Sequence, residues 1–433
     1  MRWLILALAS IPAMALWATL VFVGTANGWL RTALAPPGDT DAFVAAVRER
    51  LDAEHNGNGA FRLLQNGDLA GEHYVSVDAP VTADTRFQVA SVSKWLTAWG
   101  VMTLVESGAV DLDAPVQDYL RRWRLPEGPF DNDGVTVRRL LSHTAGLTDG
   151  LGYDGFAPGE ALQSLEASLT RAADAMPGAD GRVRAGLPPG SEWRYSGGGY
   201  TLLQLLIEEV TGQPFAAYLD DAVLTPLGMR RSTFALPGDE VADVATVYDD
   251  AGQAAPHYRY TATAAAGLYT TVADLTRFLQ AQRPGPDADP AGRGVLRPDT
   301  LTLMRQPAAR TRGTDVWGLG HMLYTDNDAG GFIIGHDGGN RPAINTTVRF
   351  DPASGDGIIV LVTGNRRLAS ELGGEWVFWR TGRLDIASYA DALDRVVVTI
   401  AVGWAVIALL FGAIGWRVAR RRPVAGGPAD DPR

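Results

Sequence analysis

Trp3 to Leu30 carries no charged residue over 28 positions, and Val396 to Trp416 carries none over 21. Crossing a bilayer takes roughly 20 apolar residues, so each stretch is long enough for a membrane helix. Between them the apolar positions recur in shorter rhythms. Asp41 to His55 has a helical pattern, and Phe61 to Leu64 and Tyr74 to Val77 read as two strands of a hairpin around Asn66-Gly67, a dipeptide that accepts the positive φ angles of a tight turn. From Ser91 to about Ser107, Trp95, Ala98, Trp99 and Met102 fall at i, i+3, i+4 and i+7, which predicts a helix stopped by Gly108. Leu203, Leu206, Ile207 and Val210 make a second helical face that ends at Gly212.

Strand-like runs return late, at Phe332 to Ile334, Thr346 to Phe350 and Ile358 to Val362, followed by a helical stretch to about Trp379. Strands early and late with helices between predict an α/β fold: one sheet closed by both ends of the body, flanked by helices, with an all-helical subdomain inserted. Ala281 to Gly294, rich in Pro, Gly and Asp, reads as a surface loop. The expected boundaries are 1–30 for an N-terminal membrane anchor or signal segment, 31–383 for the globular body, 384–395 for a linker, 396–416 for a transmembrane helix and 417–433 for a basic cytoplasmic tail.

Charge sets the expected orientation. Arg417, Arg420, Arg421 and Arg422 follow the second apolar span at once, and such a cluster stays on the cytoplasmic side. The first span has only Arg2 and the amino terminus as a positive flank, and Gly24-Thr25-Ala26 offers small residues that a signal peptidase accepts. Its length exceeds the roughly 7 to 15 residues of a secretory apolar region, which favours an uncleaved anchor over a cleaved signal. Either reading exports the body. The chain carries a net charge of −11, and the residues before the first span and after the second are net positive, so the body between the spans is more acidic still. Such a surface repels nucleic acid. The absence of cysteine excludes disulfides, thiolate nucleophiles and Cys-ligated zinc. No His-Glu-x-x-His motif or carboxylate cluster is present, so no metal and no cofactor are expected.

Of 38 basic side chains a single one, Lys94, is lysine. Arginine serves wherever a fixed cation suffices; a site that keeps lysine uses what arginine cannot do, which is to release its proton. Ser91 lies three residues before it. On a helix that spacing stacks hydroxyl and amine on one face, close enough for the amine to activate a serine nucleophile, and a helix N-terminus favours the negative charge of acyl transfer. The plainer alternative is an N-cap serine followed by a solvated lysine.

Phe87-Gln88-Val89-Ala90-Ser91-Val92-Ser93-Lys94, Leu140 to Leu147, Pro189-Gly190 with Trp193-Arg194-Tyr195-Ser196, Pro226 to Met229, Ala265 to Thr271 and Gly335-His336-Asp337-Gly338-Gly339-Asn340 together resemble, in order, the landmarks of the serine β-lactamase and penicillin-binding-protein superfamily. The likeness is to the class C enzymes and their esterase and peptidase relatives, over about Asp41 to Trp379. It implies a β-lactamase/transpeptidase-like catalytic domain and an acyl-enzyme mechanism. Ser91 would attack a carbonyl, Tyr195 and Lys94 would relay its proton, and the backbone N–H groups of Ser91 and Gly339 would hold the oxyanion. A depressed pKa would come to the tyrosine from a neighbouring cation and to the lysine from desolvation. No Ser-Asp-Asn motif is present, which disfavours the class A arrangement.

Two departures bear on specificity. Gly197 stands where the second motif usually has asparagine, and His336-Asp337-Gly338 stands where the third is often Lys-Thr-Gly. His336, Gly338 and Gly197 are therefore the expected substrate-binding positions, with β-lactam hydrolysis in doubt. His143 lies in a segment that such proteins use for packing and is expected to make a structural hydrogen bond.

The resulting expectation is a membrane-tethered serine hydrolase of the bacterial cytoplasmic membrane with its catalytic domain outside, periplasmic where an outer membrane exists. Its substrates would be small-molecule esters, or peptides and peptidoglycan fragments containing D-amino acids. The alternatives are a β-lactamase or D,D-carboxypeptidase, and a non-catalytic binder or sensor of envelope fragments. Partners would be the membrane and no nucleic acid; no feature specifies an oligomeric state.

Overall fold

Eight strands form one antiparallel sheet in the computed structural model, which describes residues 2–26, 28–29, 31–150, 152–235 and 243–420. In chain order they are β1 Gly59–Gln65, β2 Asp68–Val75, β3 Ala309–Thr311, β4 Thr314–Trp317, β5 Met322–Asp326, β6 Phe332–Asn340, β7 Ile344–Phe350 and β8 Gly357–Thr363. Across the sheet the order is β2-β1-β8-β7-β6-β5-β4-β3. The first hairpin thus joins the last strand, with Gly59 opposite Val362 and Leu64 opposite Gly357. This is the closure by both ends that the strand distribution predicts.

Asn66 (φ 55°) and Gly67 (φ 91°) make the expected tight turn. The second hairpin strand starts directly after it, at Asp68, rather than at Tyr74. The reason is physical: β2 is the edge strand and most of its side chains are half-buried or exposed, so backbone pairing holds it without an apolar alternation to mark it. The central β8 is buried on both faces. Ile359 and Leu361 enter the core under the helical subdomain, whereas Ile358, Val360 and Val362 face the other core, following the period of two.

Seven helices matter for the argument: α1 Arg2–Ala26, α2 Thr40–Glu54, α3 Ser93–Glu106, α4 Gly197–Thr211, α5 Val272–Gln280, α6 Leu368–Thr381 and α7 Ile386–Arg420. Phe43, Val47 and Leu51 of α2 and Leu372 and Trp376 of α6 cover one face of the sheet. On the other face α3 is central. Its predicted stripe of Trp95, Ala98, Trp99 and Met102 is fully buried, and so is nearly every other residue from Ser93 to Met102, as expected for a helix packed on all sides. Trp95 and Trp99 meet Phe278 of α5 edge-on, at 4.9 and 5.1 Å between ring centroids. Gly212 (φ 69°) ends α4 in the left-handed region, where glycine carries no Cβ penalty.

The chain divides into two compact units. Ala33–Thr381 is one; the segments up to Thr32 and from Gly382 onward form the other. In the second unit α1 and α7 lie side by side. Trp17 Nε1 donates to the Thr399 carbonyl (3.2 Å) and Trp404 Nε1 to the Met14 carbonyl (2.9 Å). The two pairs run in opposite order along the helices, so the helices are antiparallel. A Cβ at Gly403 would overlap the Trp17 indole, which is why glycine allows this approach. Each helix holds an apolar window of membrane-spanning length, Leu8–Thr25 and Val396–Arg417. Residues 386–395 of the stretch read as a linker belong to the continuous α7. Arg421 and Arg422 of the basic cluster lie outside the described residues.

Candidate active site

Phe87–Gln88 pairs with Tyr269–Thr270 as a two-residue ribbon. From it the chain enters a 3-10 turn, Ala90–Val92, and then α3. Ser91 therefore sits in the turn before the α-helix and not at its N-cap. Three residues per turn bring positions i and i+3 into line, so the spacing still works: Lys94 Nζ donates to Ser91 Oγ at 3.1 Å and to the Ala265 carbonyl at 2.7 Å. Ala90 takes a left-handed φ of 48° to make the bend, a conformation costing on the order of 1 kcal/mol or more for a residue with a Cβ. Lys94 is 2% exposed. Burial drives its pKa down to about 7, against an opposing pull from Asp149. Near neutrality a large share of the amine is unprotonated, and its lone pair can take the Ser91 proton.

Tyr195 lies in the turn before α4, with its ring centroid 5.0 Å from Lys94 Nζ and its phenol hydrogen-bonded to Ser91. Burial raises its pKa well above the usual value, and the Ser91 contact only partly offsets this. A tyrosine base requires a depressed pKa, and the structure does not give Tyr195 one. Lys94, only partly protonated near pH 7, does not offset the cost of burying a phenolate. Tyr195 stays protonated near pH 7 and can donate or pass on a proton, whereas Lys94 can accept one.

The Tyr195 turn is tied down through its neighbour. Ser196 N–H donates to His143 Nδ1 at 3.1 Å, and Ser196 Oγ donates to Asp149 Oδ1 while accepting from Gly199 N–H at 2.8 Å. Gly198 N–H donates to Asp149 Oδ2 at 2.8 Å. His143, at φ 57°, makes the structural hydrogen bond expected of it and lies 4.3 Å from the Tyr195 ring and 4.7 Å from Trp317. Gly197 opens α4 and is buried; a Cβ there would come within 2.8 Å of the Tyr153 ring.

Strand β6 brings the third motif alongside. A Cβ at Gly338 would lie 3.2 Å from Ser91 N and 2.3 Å from the Val89 carbonyl, so only glycine lets the strand pass this close to the nucleophile turn. Thr346 Oγ1 fastens the two by donating to the Val89 carbonyl at 3.0 Å. Gly339 follows, opposite Asn345. His336 is buried edge-on against Trp317, 5.3 Å between centroids, and 6.3 Å from Tyr195. Its Nδ1 hydrogen-bonds the Asp337 carbonyl at 2.6 Å, while its Nε2 is buried without a partner among the described residues. Burial, with Lys94 adding to it, lowers its pKa to about 3. The imidazole is neutral at pH 7 and offers no fixed charge to a carboxylate.

The structure thus gathers Ser91, Lys94, Tyr195, His336 and Gly338 about one point. Sequence reasoning passed over Asp149, two residues beyond the motif ending at Leu147, and the Ala265 carbonyl and Trp317, which no spacing signals. Among the described residues no group of three or more His, Cys, Asp or Glu is placed to hold a metal.

Residues 43–376 match the family described as Beta-lactamase. The chain belongs to the beta-lactamase family. Its family members include serine hydrolases of several kinds. The chain is 30% identical to penicillin-binding protein 4 of Amycolatopsis lactamdurans over 345 residues, 73% of this chain and 84% of the relative. It is 33% identical to esterase EstB of Burkholderia gladioli over 291 residues, 58% of this chain and 69% of the relative. The octameric penicillin-binding protein homologue from Pyrococcus abyssi shares the fold, with a TM-score of 0.63 at 24% identity over 80% of this chain and 78% of that one.

Proposed function

We propose that this beta-lactamase family member is a membrane-tethered serine hydrolase that forms a covalent acyl-enzyme on Ser91 from esters or D-amino-acid-containing peptides and amides. One observation carries the reading: a buried amine with a pKa of about 7 sits 3.1 Å from the Ser91 hydroxyl. As Ser91 Oγ bonds to the substrate carbonyl carbon, its proton passes to Lys94, and the N–H groups of Ser91 and Gly339 receive the oxyanion. Tyr195 then delivers its proton to the leaving group and takes the Lys94 proton in exchange; water attacks the acyl carbon as it gives a proton to Lys94, and that proton returns to Ser91 Oγ as the acyl chain leaves. The relatives' names, an esterase and a penicillin-binding protein, fit either substrate class. Labelling of the full chain with a fluorophosphonate, followed by mass spectrometry, tests the assignment. Adduct on Ser91 is the expected result; an unlabelled protein, or adduct at another serine, removes it.

The membrane reading rests on the antiparallel pairing of α1 with α7, which leaves the chain's two ends on one side, and on Arg417 and Arg420 after the second span. Phosphatase fused after Arg395 should be active and phosphatase fused after Arg422 inactive. The reverse pattern overturns the topology.

A further inference from the structure

Asp149 is buried, 6% exposed, with no ion pair among the described residues; burial raises its pKa, and the donors of Ser196 and Gly198, with the charge on Lys94, pull it back toward the carboxylate. What it accepts explains why a carboxylate stands there. The Ser196 hydroxyl and the Gly198 N–H both point donors at it, one to each oxygen. The hydroxyl has no freedom to turn round, because it already accepts from Gly199 N–H. A carboxylate receives two donors, whereas an amide in the same place presents its NH₂ to one of them. The 15-residue α4 begins at Gly197, so the charge also lies at a helix N-terminus.

The other neighbours of Lys94 are uncharged near pH 7. His143 and His336 both interact with it and are both held neutral by burial. The rings of Tyr195 and Tyr200 lie 5.0 and 5.6 Å from its Nζ, and burial keeps both phenols protonated. Asp149 is the one acidic group among the described residues whose charge acts appreciably on Lys94.

We infer that Asp149 is the positioning residue of the proton relay: it fixes the Tyr195 turn through Ser196 and Gly198, and its charge stabilises the Lys94 ammonium formed when Ser91 gives up its proton. In the attack the Ser91 O–H bond breaks, Oγ bonds to the carbonyl carbon, the carbonyl electrons move to oxygen, and Nζ gains the proton. A cation appears where neutral rings surround it, and Asp149 is the balancing anion. Nucleophile, base and a third group acting on the base is the logic of a triad. Here lysine takes the middle place.

The inference rests on the serine–lysine reading, and the single lysine allows a test that needs no substrate. Detergent-extracted full chain carrying [ε-13C]lysine gives one lysine resonance, whose pH titration reports Lys94 directly. A wild-type midpoint near 10 would sink the buried-base reading itself. With the midpoint near 7, Asp149→Asn should lower it by about one pH unit, because removing an anion favours the neutral amine. The acid limb of kcat/KM should move down with it. Ser196→Ala, which releases the turn but keeps the charge, should leave the midpoint in place and reduce kcat about tenfold. A midpoint in Asp149→Asn within about 0.3 of wild type, or displaced upward, overturns the inference. If circular dichroism shows that Asp149→Asn does not fold, Asp149→Glu replaces it. That variant keeps the charge and should hold the wild-type midpoint, and a fall of about one pH unit there is equally fatal.

Discussion

The two faces of β6 carry polar groups in opposite conditions. On the face turned from the cleft, Asp337 accepts from Tyr324 Oη (2.8 Å), from Thr347 Oγ1 and from Arg349 Nη2 (2.9 Å). Arg349 is fully buried, also donates to Thr347 Oγ1 and the Ser370 carbonyl, and lies 4.0 Å over the Tyr324 ring. One residue away, on the cleft face, His336 keeps Nε2 buried and unpartnered, and Lys94 nearby is stripped of water. An unpaired buried polar atom costs about 1 to 3 kcal/mol. The saturated face holds the strand in register beside Lys94, and it is the desolvation of that amine that gives it a proton affinity useful at pH 7.

Removing chemistry from the cleft face should have the largest effect on turnover and little on stability. Lys94→Arg keeps the charge but cannot release a proton, so it should lose about 10²-fold or more in kcat, approaching Ser91→Ala. Retention of more than about a tenth of wild-type turnover would show that charge suffices. The outer face should behave in the opposite way. Asp337→Ala leaves a buried guanidinium without its anion, and denaturant unfolding should report a loss of about 3 to 5 kcal/mol. Replacing both partners, Asp337→Leu with Arg349→Met, should recover part of that loss. No recovery would mean that the pair is held for more than mutual charge.

A third measurement separates the titrating groups. Lys94 must be neutral to act, and its folded pKa is lowered to about 7, so kcat/KM should rise with pH through about 7 and level above it. His336, already neutral above about pH 3, should add no second limb near 6.5. A limb that persists at 6.5 in Lys94-independent steps and vanishes in His336→Asn would place the histidine in the relay. The smallest expected effect concerns specificity. With a neutral His336 and no side chain at Gly197, p-nitrophenyl acetate or butyrate should be cleaved with higher efficiency than nitrocefin, each missing hydrogen bond weakening the β-lactam by about 0.5 to 1.5 kcal/mol. Equal or better efficiency on nitrocefin would remove both residues as determinants.

The same contrast governs what the sequence discloses. Short-range signals were readable: Asn66-Gly67 turns the hairpin, the Trp95–Met102 stripe marks α3, and the lone lysine three residues after Ser91 does reach its hydroxyl. Groups whose meaning comes from a distant partner were not. Arg349 in a strand looks like a solvent-facing charge until Asp337, Tyr324 and α6 enclose it. Asp149 acquires its part only when Ser196 folds back against it across 47 residues of chain. Which of tyrosine and lysine could have the depressed pKa of a base was not readable either, because desolvation, a property of the packed interior, raises the Tyr195 pKa and lowers that of Lys94.

The pairing of β1 with β8 has a consequence for how the chain reaches its native state. Gly59 must wait for Val362, and at a synthesis rate of about 5 to 20 residues per second the interval lasts on the order of tens of seconds. During that time the hairpin's inner strand stands as an open edge whose Phe61 and Leu63 have α2 to cover them but not yet α6. Such late, non-local closure is slow and exposes the chain to wrong pairing. It also means that truncation before β8 should leave a protein prone to aggregate rather than a smaller folded one.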